Sequence, residues 1–349
     1  MSVFEHREFD GHEHVAFHQD KVSGLKAIIA VHNSNLGNAL GGCRMWPYTS
    51  DEEALQDVLR LSKGMTYKAA LAGLNQGGGK AVIIGNPRTE KTTEKMLAMG
   101  KFIDSLSGQY ISAEDSGLTV DDLKLMGQKT AHVSGIHAKY HINSEPADGN
   151  PAPSTAYGVY VGLKATVEYS MNSELNGVKV AIQGLGHVGM RLAKHLYAQG
   201  AKLYVTDIHS ENVDKAVNEF SAIAVKPNDI YDLDVDVFAP CAMGAILDLE
   251  NIAKLKVKII AGAANNQLAR EEFGQLLADK GILYAPDYVI NAGGIIDIYH
   301  QSISSSDKDL RDHIEKISIT LFEIYQRAQL QGTATNIVAN QIAEERFGK

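Results

Sequence analysis

Apolar positions along the chain follow two patterns: short runs typical of buried strands, and longer stretches with helical spacing. In the first part of the chain, the short runs predict strands at residues 25–31, 81–84 and 110–113. The helical spacing predicts helices over residues 51–71, 92–106 and 120–128. Ser50 precedes the first of these helices, where its hydroxyl can accept a hydrogen bond from a free backbone N–H of the first turn.

The pattern becomes more regular after a polar segment at residues 141–153, which holds three of the eight prolines and predicts a loop or hinge. Predicted strands beyond this segment cover residues 178–183, 202–206, 235–239, 256–261 and 281–284. Predicted helices cover residues 154–169 and 188–199, and the chain from residue 307 onward is predicted to be helical. Short apolar strands that alternate with helices favour a parallel sheet covered on both faces.

These patterns predict an α/β protein with two domains and a cleft between them. Residues 1–145 would form an N-terminal α/β domain for substrate binding, catalysis and oligomerisation. Residues 146–330 would form a Rossmann-like, doubly wound domain. We expect the last helical segment, residues 331–349, to pack back on the first domain.

Composition narrows the range of partners. The formal net charge of −9 and the pI of about 5.8 argue against nucleic acid or an anionic membrane surface. The two cysteines have no zinc-site spacing, the thirteen histidines form no compact motif, and no metal site is predicted. The sequence shows neither a signal peptide nor a long apolar run, so we expect a soluble cytoplasmic protein without a membrane partner.

A glycine-rich turn follows the predicted strand at 178–183 and opens the next helix; it reads Gly184-Leu185-Gly186-His187-Val188-Gly189. Gly184 would allow a tight turn, Gly186 a close approach of a pyrophosphate, and Gly189 close packing of helix on strand. Asp207 ends the second strand, 18 residues after Gly189, where a carboxylate accepts from ribose hydroxyls and repels a 2′-phosphate. The turn predicts NAD binding; the alternative is a glycine-rich turn without a ligand.

Lysines and a carboxylate in the first domain are candidates for catalysis. Lys80 stands between three glycines and an apolar strand, a poor context for a solvated surface charge. Lys68, near the end of a helix, could act as a second cation or bind a substrate carboxylate. Asp115 follows a strand, and Thr119 and Asp121 can cap the next helix, which leaves Asp115 for chemistry. Glu114 could exchange roles with Asp115, and the sequence leaves this choice open.

Several motifs together resemble the Glu/Leu/Phe/Val dehydrogenase superfamily over nearly the whole chain. They are GGCRMW at 41–46, KGMTYK at 63–68, GLNQGGGK at 73–80, YISAED at 110–115, APCA at 239–242 and APDYVINAGG at 285–294. Within the superfamily, the chain is most similar to the branch that acts on leucine. The resemblance implies that an L-amino acid, NAD+ and water give a 2-oxo acid, NADH and ammonium.

The resemblance also assigns roles to particular residues. Lys68 matches the lysine that holds the substrate carboxylate, Lys80 the lysine that activates water, and Asp115 the aspartate that moves the amine proton. Asn266 matches an asparagine in the cleft near nicotinamide and substrate, and Asn265 is an adjacent amide. By the same match, Cys241 and Ala242 join the glycine-rich turn and Asp207 in cofactor binding. The side-chain pocket would be lined by Leu40, Gly41, Met65, Ala113, Ser134, Ile295 and Ile298.

The mostly apolar pocket disfavours glutamate and favours leucine and other branched-chain amino acids, which differ by methylenes that an enzyme discriminates weakly. One alternative is an enzyme of the same family that prefers phenylalanine, tryptophan or valine. A more distant alternative is a non-catalytic NAD-binding regulator, which predicts the loss of Lys68, Lys80 or Asp115; all three are present. The resemblance further implies a homo-oligomer, either an octamer or a dimer.

Overall fold

A computed structural model describes residues 2–136, 151–242, 244–303 and 305–349. Within these residues, five strands form a first sheet: β1 (His14–Asp20), β2 (Leu25–Asn33), β3 (Ala39–Trp46), β4 (Gly77–Ile84) and β5 (Tyr110–Glu114). Their order is β1-β2-β4-β3-β5. The strand β2 is antiparallel to β1 and β4, whereas β3 is parallel to β4 and β5. The helices of this part are α1 (Asp51–Leu71), α2 (Thr93–Asp104) and α3 (Val120–Gly127).

The strand β2 is buried on both faces, which explains why its sequence is an unbroken apolar run. On one face it packs against α1 through Ile28, Ala30, Val58 and Leu59. On the other face it packs against α2 through Ala27, Ile29, Met99 and Phe102. The first sheet is therefore the middle layer between α1 and the helices α2 and α3.

The helix α1 has the predicted bounds because both of its end signals are satisfied. Ser50 Oγ accepts from the backbone N–H of Glu53 at 3.1 Å, and the chain leaves the helix at Gly73, where φ is +67°. The strand β4 is longer than predicted, since it begins at Gly77 and contains all three glycines and Lys80. The sequence patterns did not predict β1, a mixed polar edge strand, or β3, which has two glycines at its centre.

The second sheet contains six parallel strands within the described residues: β6 (Lys179–Gln183), β7 (Lys202–Thr206), β8 (Ile223–Ala224), β9 (Val237–Pro240), β10 (Ile259–Ile260) and β11 (Leu283–Tyr284). Their order is β11-β10-β9-β6-β7-β8, with the sequence direction reversing between β6 and β9. This is the strand order of a Rossmann fold, and it confirms the predicted α/β class with a doubly wound second part.

The helices of this part are α4 (Ala152–Met171), α5 (His187–Ala198), α6 (Ser210–Phe220), α7 (Leu249–Lys254), α8 (Phe273–Asp279), α9 (Asp287–Ile290) and α10 (Gly293–Ser302). Two 3-10 turns lie at Val3–Glu5 and Ile230–Asp232. Of the loop predicted at 141–153, residues 141–150 lie outside the described residues. Pro151 directly precedes α4, so the last two residues of that predicted loop belong to the helix.

The helical end of the chain consists of α11 (Asp307–Gln331) and α12 (Thr335–Phe347), which are separated at Gly332, where φ is +64°. The start of α12 contacts the second sheet, where the Thr335 hydroxyl donates to the carbonyl of Tyr284 at 2.7 Å. The end of α12 contacts α1, where Arg346 donates to the carbonyl of Leu71 at 3.0 Å. The helix α12 therefore spans from one sheet to the other.

Candidate active site

Lys80 and Asp115 meet across β3. Lys80 lies on β4, Asp115 follows β5, and β3 runs between these two strands. A Cβ at Gly42 of β3 would stand 2.6 Å from Cβ of Asp115 and 3.2 Å from Nζ of Lys80. Because Gly42 has no side chain, Lys80 Nζ reaches Asp115 Oδ2 at 2.5 Å. Lys80 is 6% exposed, which agrees with the prediction that it is not a surface lysine.

The glycines before Lys80 allow close packing within the protein itself. A Cβ at Gly78 would stand 2.0 Å from the backbone nitrogen of Thr66 in α1. A Cβ at Gly41 of β3 would stand 1.7 Å from the carbonyl oxygen of Gly79. The close approach inferred from the three glycines is therefore that of α1 and β3 to β4, and it fixes the strand that carries Lys80.

Arg44 connects Asp115 to a second carboxylate. Its Nε lies 3.2 Å from Asp115 Oδ2, and its Nη1 lies 2.9 Å from Asp57 Oδ2. Asp57 Oδ2 also accepts from the Tyr48 hydroxyl at 2.7 Å. Burial acts to raise the pKa of Asp115, but the charges of Lys80 and Arg44 outweigh burial and hold that pKa below its usual range. Asp115 is therefore an ionised carboxylate. Glu114, the alternative that the sequence left open, is exposed, and it is Asp115 that pairs with Lys80.

Lys68 lies on α1 near the same group of charges. Its Nζ donates to Asn291 Oδ1 at 2.6 Å, and Asn291 donates in turn to the Asn265 side chain at 2.9 Å and to the Ala263 carbonyl at 3.1 Å. Burial and the charge of Lys80 lower the pKa of Lys68, whereas Asp287 and Asp115 act in the opposite direction, and the net result is a pKa of about 8. Lys68, Lys80 and Asp115 thus form one electrostatically coupled group.

Asn266 is close to this group through its backbone. Its φ is +52°, in the left-handed region, and its N–H donates to Asp287 Oδ2 at 2.8 Å. The Tyr284 hydroxyl holds the other oxygen of Asp287 at 2.8 Å. Asp287 therefore supports both the strained turn at Asn266 and, through its charge, Lys68.

The glycine-rich turn between β6 and α5 has the geometry that the sequence predicts. Gly184 has φ of +95°, and a Cβ at Gly189 would stand 2.0 Å from the Gly184 carbonyl oxygen. A Cβ at Gly186, in contrast, would have no protein atom within 4 Å. Asp207 accepts from the backbone N–H of Leu185 at 2.5 Å and of His209 at 2.8 Å. The carboxylate therefore stands directly beside the turn.

This turn fits a dinucleotide. The helix α5 begins at His187 without a side-chain cap, so the backbone N–H groups of its first turn, including that of Val188, are available to phosphate oxygens. Cys241 donates its N–H to the carbonyl of Gln183 at 2.7 Å, and a Cβ at Gly184 would stand 2.6 Å from Cβ of Ala242. The residues predicted for the cofactor are thus brought together around the open side of Gly186.

The whole chain resembles known amino-acid dehydrogenases. The leucine dehydrogenase of Thermoactinomyces intermedius is 48% identical over 99% of this chain and 94% of its own length. The chain belongs to the Glu/Leu/Phe/Val dehydrogenase family. Family profiles agree: "Glu/Leu/Phe/Val dehydrogenase, dimerisation domain" matches residues 6–132, and "Glutamate/Leucine/Phenylalanine/Valine dehydrogenase" matches residues 205–346. The chain is therefore an amino-acid dehydrogenase, and its family uses a nicotinamide cofactor.

Relatives with other substrates in their names are almost as similar. The phenylalanine dehydrogenase of Caldalkalibacillus thermarum is 44% identical over 100% of this chain and 95% of its own length. The crystal structure of L-tryptophan dehydrogenase from Nostoc punctiforme matches with a TM-score of 0.85 and 46% identity, and covers 97% of this chain and 96% of that chain. Membership of the Glu/Leu/Phe/Val dehydrogenase family thus leaves the preferred amino acid to be argued from the pocket.

Of the residues predicted for the side-chain pocket of this dehydrogenase, Ile298 lines a cavity together with Asp115, and the others lie in the apolar core or on and beside the strands β3 and β5. Leu40 of β3 and Ile295 of α10 belong to one extended hydrophobic cluster, and Met65 of α1 and Ile298 of α10 pack against it. Gly41 and Ala113 lie on the neighbouring strands β3 and β5. The backbone N–H of Ser134 donates to the carbonyl of Ser112 at 2.8 Å. A cavity of about 330 Å³ is lined by Glu114, Asp115, Ser116, Gly117, Leu118, Gly135, Pro151 and Ile298.

Sequence reasoning missed Arg44, Asp57, Asn291 and Asp287. Arg44, Asn291 and Asp287 lie inside motifs that had been noticed, but nothing in the sequence indicated which side chain they would contact. Asp57 lies on a helix face, where a carboxylate is usually solvated. Only the packing of α1 on the first sheet brings it to Arg44.

The described residues contain neither a metal-binding cluster nor a membrane-spanning helix. Among them, no group of three or more His, Cys, Asp or Glu side chains is arranged to hold a metal ion. No helix in the described part of the chain combines the length and apolar character needed to cross a membrane.

Proposed function

We propose that this dehydrogenase catalyses the reversible, NAD-dependent oxidative deamination of L-leucine and related branched-chain amino acids. The pairing of Lys80 with Asp115 beside a cavity that Ile298 also lines is the observation that carries the proposal. Residues 1–145 would form the substrate domain and residues 146–330 the NAD domain, with 331–349 packed on the first. This division is supported by the separate sheets β1–β5 and β6–β11.

Substrate binding begins with the carboxylate. Lys68 is a half-buried cation whose direction is fixed by Asn291. Because water is partly excluded at this position, the ammonium group attracts a carboxylate more strongly than it would in bulk water. Asn291 is fixed in turn by Ala263 and Asn265. The amino acid would therefore be oriented before reaction, with its α-carbon between Lys68 and the Lys80–Asp115 pair.

Proton transfer falls to Lys80 and Asp115. The turn at residues 184–189 and Asp207 would hold the nicotinamide cofactor, which would supply the chemistry of hydride acceptance. Asp115, held ionised by Lys80 and Arg44, would take the proton from the substrate ammonium, since only the free amine can give up hydride. Lys80 would direct water to the resulting iminium carbon and stabilise the oxygen of the carbinolamine. Release of ammonium leaves the 2-oxo acid, and one proton passes to solvent.

NAD is proposed over NADP because of Asp207. Both of its oxygens accept backbone N–H groups, so the carboxylate is fixed beside the turn, where it would repel a 2′-phosphate. His209 is the neighbouring group that could favour a phosphate, but its side chain is exposed. Asp207→Ser should reduce the preference for NAD+ over NADP+, measured as the ratio of the two kcat/KM values.

The substrate class follows from the apolar lining. Leu40, Met65, Ile295 and Ile298 offer no charge to a second carboxylate, which disfavours glutamate. A second candidate, an enzyme that prefers phenylalanine or tryptophan, is favoured by the similarity to relatives with these substrates in their names. A homo-oligomer, as octamer or dimer, is proposed from the dimerisation-domain description that matches residues 6–132.

The test measures NADH formation at saturating NAD+ with leucine, valine, isoleucine, phenylalanine, tryptophan and glutamate. Wild-type protein should turn over the branched-chain set best, and Lys80→Ala should lower kcat by roughly 100- to 10,000-fold, the usual range for acid–base groups. Lys124→Ala, which removes an exposed lysine of α3, should keep wild-type kcat. Preference for aromatic substrates would move the proposal to the second candidate, and no turnover of any amino acid would refute it.

A further inference from the structure

Two histidines join three helices behind the proposed active site. At the end of α1, the carbonyl oxygen of Ala72 contacts His313 Nε2 of α11 at 2.8 Å. Nδ1 of His313 lies 2.9 Å from Nε2 of His300, in the last turn of α10. Nδ1 of His300 contacts the hydroxyl of Ser305. The helices α1, α11 and α10 are thus connected by a continuous row of hydrogen bonds.

When both rings are neutral, the carbonyl at one end of this row fixes the direction of every bond in it. A carbonyl oxygen only accepts, so His313 must carry its hydrogen on Nε2. A neutral His313 then accepts at Nδ1, which requires His300 to donate from Nε2. His300 accepts at Nδ1 from the Ser305 hydroxyl. With both rings neutral, the row is therefore complete only when both carry hydrogen on Nε2.

The two ends of the row carry different parts of the proposed site. The helix α1 carries Lys68 one turn before Ala72. The helix α10 carries Ile295 and Ile298, and Ile298 lines the same cavity as Asp115. The histidine pair therefore connects the proposed carboxylate site to the proposed side-chain pocket.

The start of α10 is already held by α4. A Cβ at Gly293 would stand 2.0 Å from the carbonyl oxygen of Ser154, and the Ser154 hydroxyl donates to Asp297 at 2.5 Å. His300 lies at the other end of α10 and is 5% exposed. The histidine pair thus adds a hydrogen-bonded attachment of the far end of α10 to α11 and α1.

We propose that His313 and His300 are positioning residues of the active site, which hold α10 and its pocket isoleucines in register with the end of α1 that carries Lys68. This inference rests on the proposed function, because the roles of Lys68, Ile295 and Ile298 come from it. It adds two residues that no motif of the family pattern contains. Neither histidine touches substrate in this arrangement, so both act through the helices that they connect.

Protonation of both rings breaks the row. When only His313 is protonated, His300 can move its own hydrogen to Nδ1, donate to the Ser305 hydroxyl and accept at Nε2; when both rings are protonated, Nδ1 of His313 and Nε2 of His300 both carry hydrogen, and two donors oppose each other. Burial lowers the pKa of both histidines, and each ring also sees charged groups on the packed helices. These groups are Asp297, Asp309 and Lys316, together with the ring of Tyr299. The neutral form is therefore the form at neutral pH, and the row is lost as pH falls through the lowered pKa values of the pair, which lie below the ordinary histidine pKa of about 6.5.

The experiment compares His313→Leu, which removes both bonds, with His313→Gln, whose amide keeps one donor and one acceptor and does not titrate. KM and kcat for leucine are measured from pH 5.5 to 8 with wild type. At pH 8, His313→Leu should raise KM about three- to tenfold, as expected for a lost hydrogen bond, with kcat within twofold. His313→Gln should have near-wild-type KM at pH 8, and below pH 6 its KM should rise less than that of wild type. His14→Gln, at an exposed histidine of β1, should follow wild type throughout.

Wild-type KM and an unchanged pH profile in His313→Leu would overturn the proposal, and so would an equal rise of KM at low pH in His313→Gln. If His313→Leu does not fold, His300→Leu replaces it, because this variant leaves the bond between His313 and Ala72 in place. The same thresholds apply to it.

A second readout does not depend on turnover. Long-range proton–nitrogen NMR of protein labelled with 15N-histidine reports the tautomer of each ring, and the signals are assigned with the His300 and His313 variants. Both rings should carry hydrogen on Nε2 at pH 7.5, and hydrogen on Nδ1 of His313 would overturn the proposal. If wild type turns over no amino acid, the proposed function fails, whereas the NMR result still decides whether the hydrogen-bonded row exists.

Discussion

Two glycine-rich segments lie at the proposed active site, and their glycines serve opposite purposes. In β4, Gly78 and Gly79 are surrounded by the protein itself, since a Cβ at Gly78 would meet the Thr66 backbone at 2.0 Å. At the turn after β6, a Cβ at Gly186 would meet no protein atom within 4 Å. The first segment is closed by packing, and the second is open on the side where a dinucleotide would lie.

The comparison shows what a glycine in a sequence predicts about its surroundings and what it leaves open. In both segments glycine marks a close approach to the backbone. Only the structure shows whether the approaching group is part of the chain, as at Gly78, or leaves room for a ligand, as at Gly186. A substitution should therefore damage stability in one segment and ligand affinity in the other.

The largest effect is expected for Gly78→Ala. Its methyl group would overlap the backbone of α1, which cannot move without displacing Lys68, so the free energy of unfolding should fall by about 3 kcal/mol or more. Urea unfolding followed by circular dichroism measures this change. A loss below about 0.5 kcal/mol, the size of an ordinary surface substitution, would show that β4 and α1 are not closely packed.

Gly186→Ala should leave the fold intact and weaken the cofactor. Gly186 has φ −68° and ψ −162°, which alanine also adopts, so the free energy of unfolding should change by less than about 0.5 kcal/mol. The methyl group would occupy the space for the pyrophosphate, and Kd for NAD+ should rise about tenfold or more, close to 1.4 kcal/mol. Calorimetric titration gives the affinity. Unchanged affinity for NAD+ would contradict the proposed role of this turn in cofactor binding.

The pKa of Lys68 predicts a loss of activity at alkaline pH. Lys68 lies on α1, the helix that packs against the glycine-rich segment of β4. Its pKa is lowered to about 8 by burial, so the cation that would hold the substrate carboxylate is present below pH 8 and disappears above it. The ratio of kcat/KM for leucine between wild type and Lys68→Met should fall about fivefold from pH 8 to pH 9. A ratio that stays constant up to pH 10 would contradict this assignment of charge.

The smallest effect is expected for Gly64→Ala, in the same helix as Thr66. Gly64 is exposed, and a Cβ there would contact nothing within 4 Å. Neither packing nor a proposed ligand therefore requires glycine at this position. Alanine should raise the free energy of unfolding by about 0.5–1 kcal/mol, because glycine is costly inside a helix. A thermal melt beside that of Gly78→Ala checks the sign. A decrease in the melting temperature of Gly64→Ala would imply an interface that covers this face of α1.

The sequence predicts the fold well where local signals are strong. The helix α1 and the strand β7 have the predicted bounds, because a serine cap, a glycine end and apolar runs specify them locally. The strand β3 was missed, because its glycines are selected by contacts with Gly79, Lys80 and Asp115 from distant parts of the chain. The short strands β10 and β11 came out longer in the prediction, since apolar runs continue beyond the paired residues.

The same limit applies to the site. Lys80 and Asp115 could be singled out from their neighbours in sequence, and the structure brings them within 2.5 Å. The contact of Arg44 with Asp57, and that of Lys68 with Asn291, join residues 13 and 223 positions apart. Such pairs depend on how helices and sheets pack, which hydrophobic periodicity does not encode. The catalytic and cofactor roles of the predicted residues remain predictions until they are measured.

The helix α12 limits the ways in which the cleft can open. Its start is fixed near β11 by Thr335, and its end is fixed to α1 by Arg346. A helix of 13 residues is about 20 Å long and nearly inextensible, so it acts as a rod of constant length between the two sheets. The sheets can turn about the ends of this rod but cannot move apart along it. The cleft therefore widens by rotation of one sheet relative to the other. For a given angle of rotation, the width gained depends on the distance from α12 to the proposed substrate site.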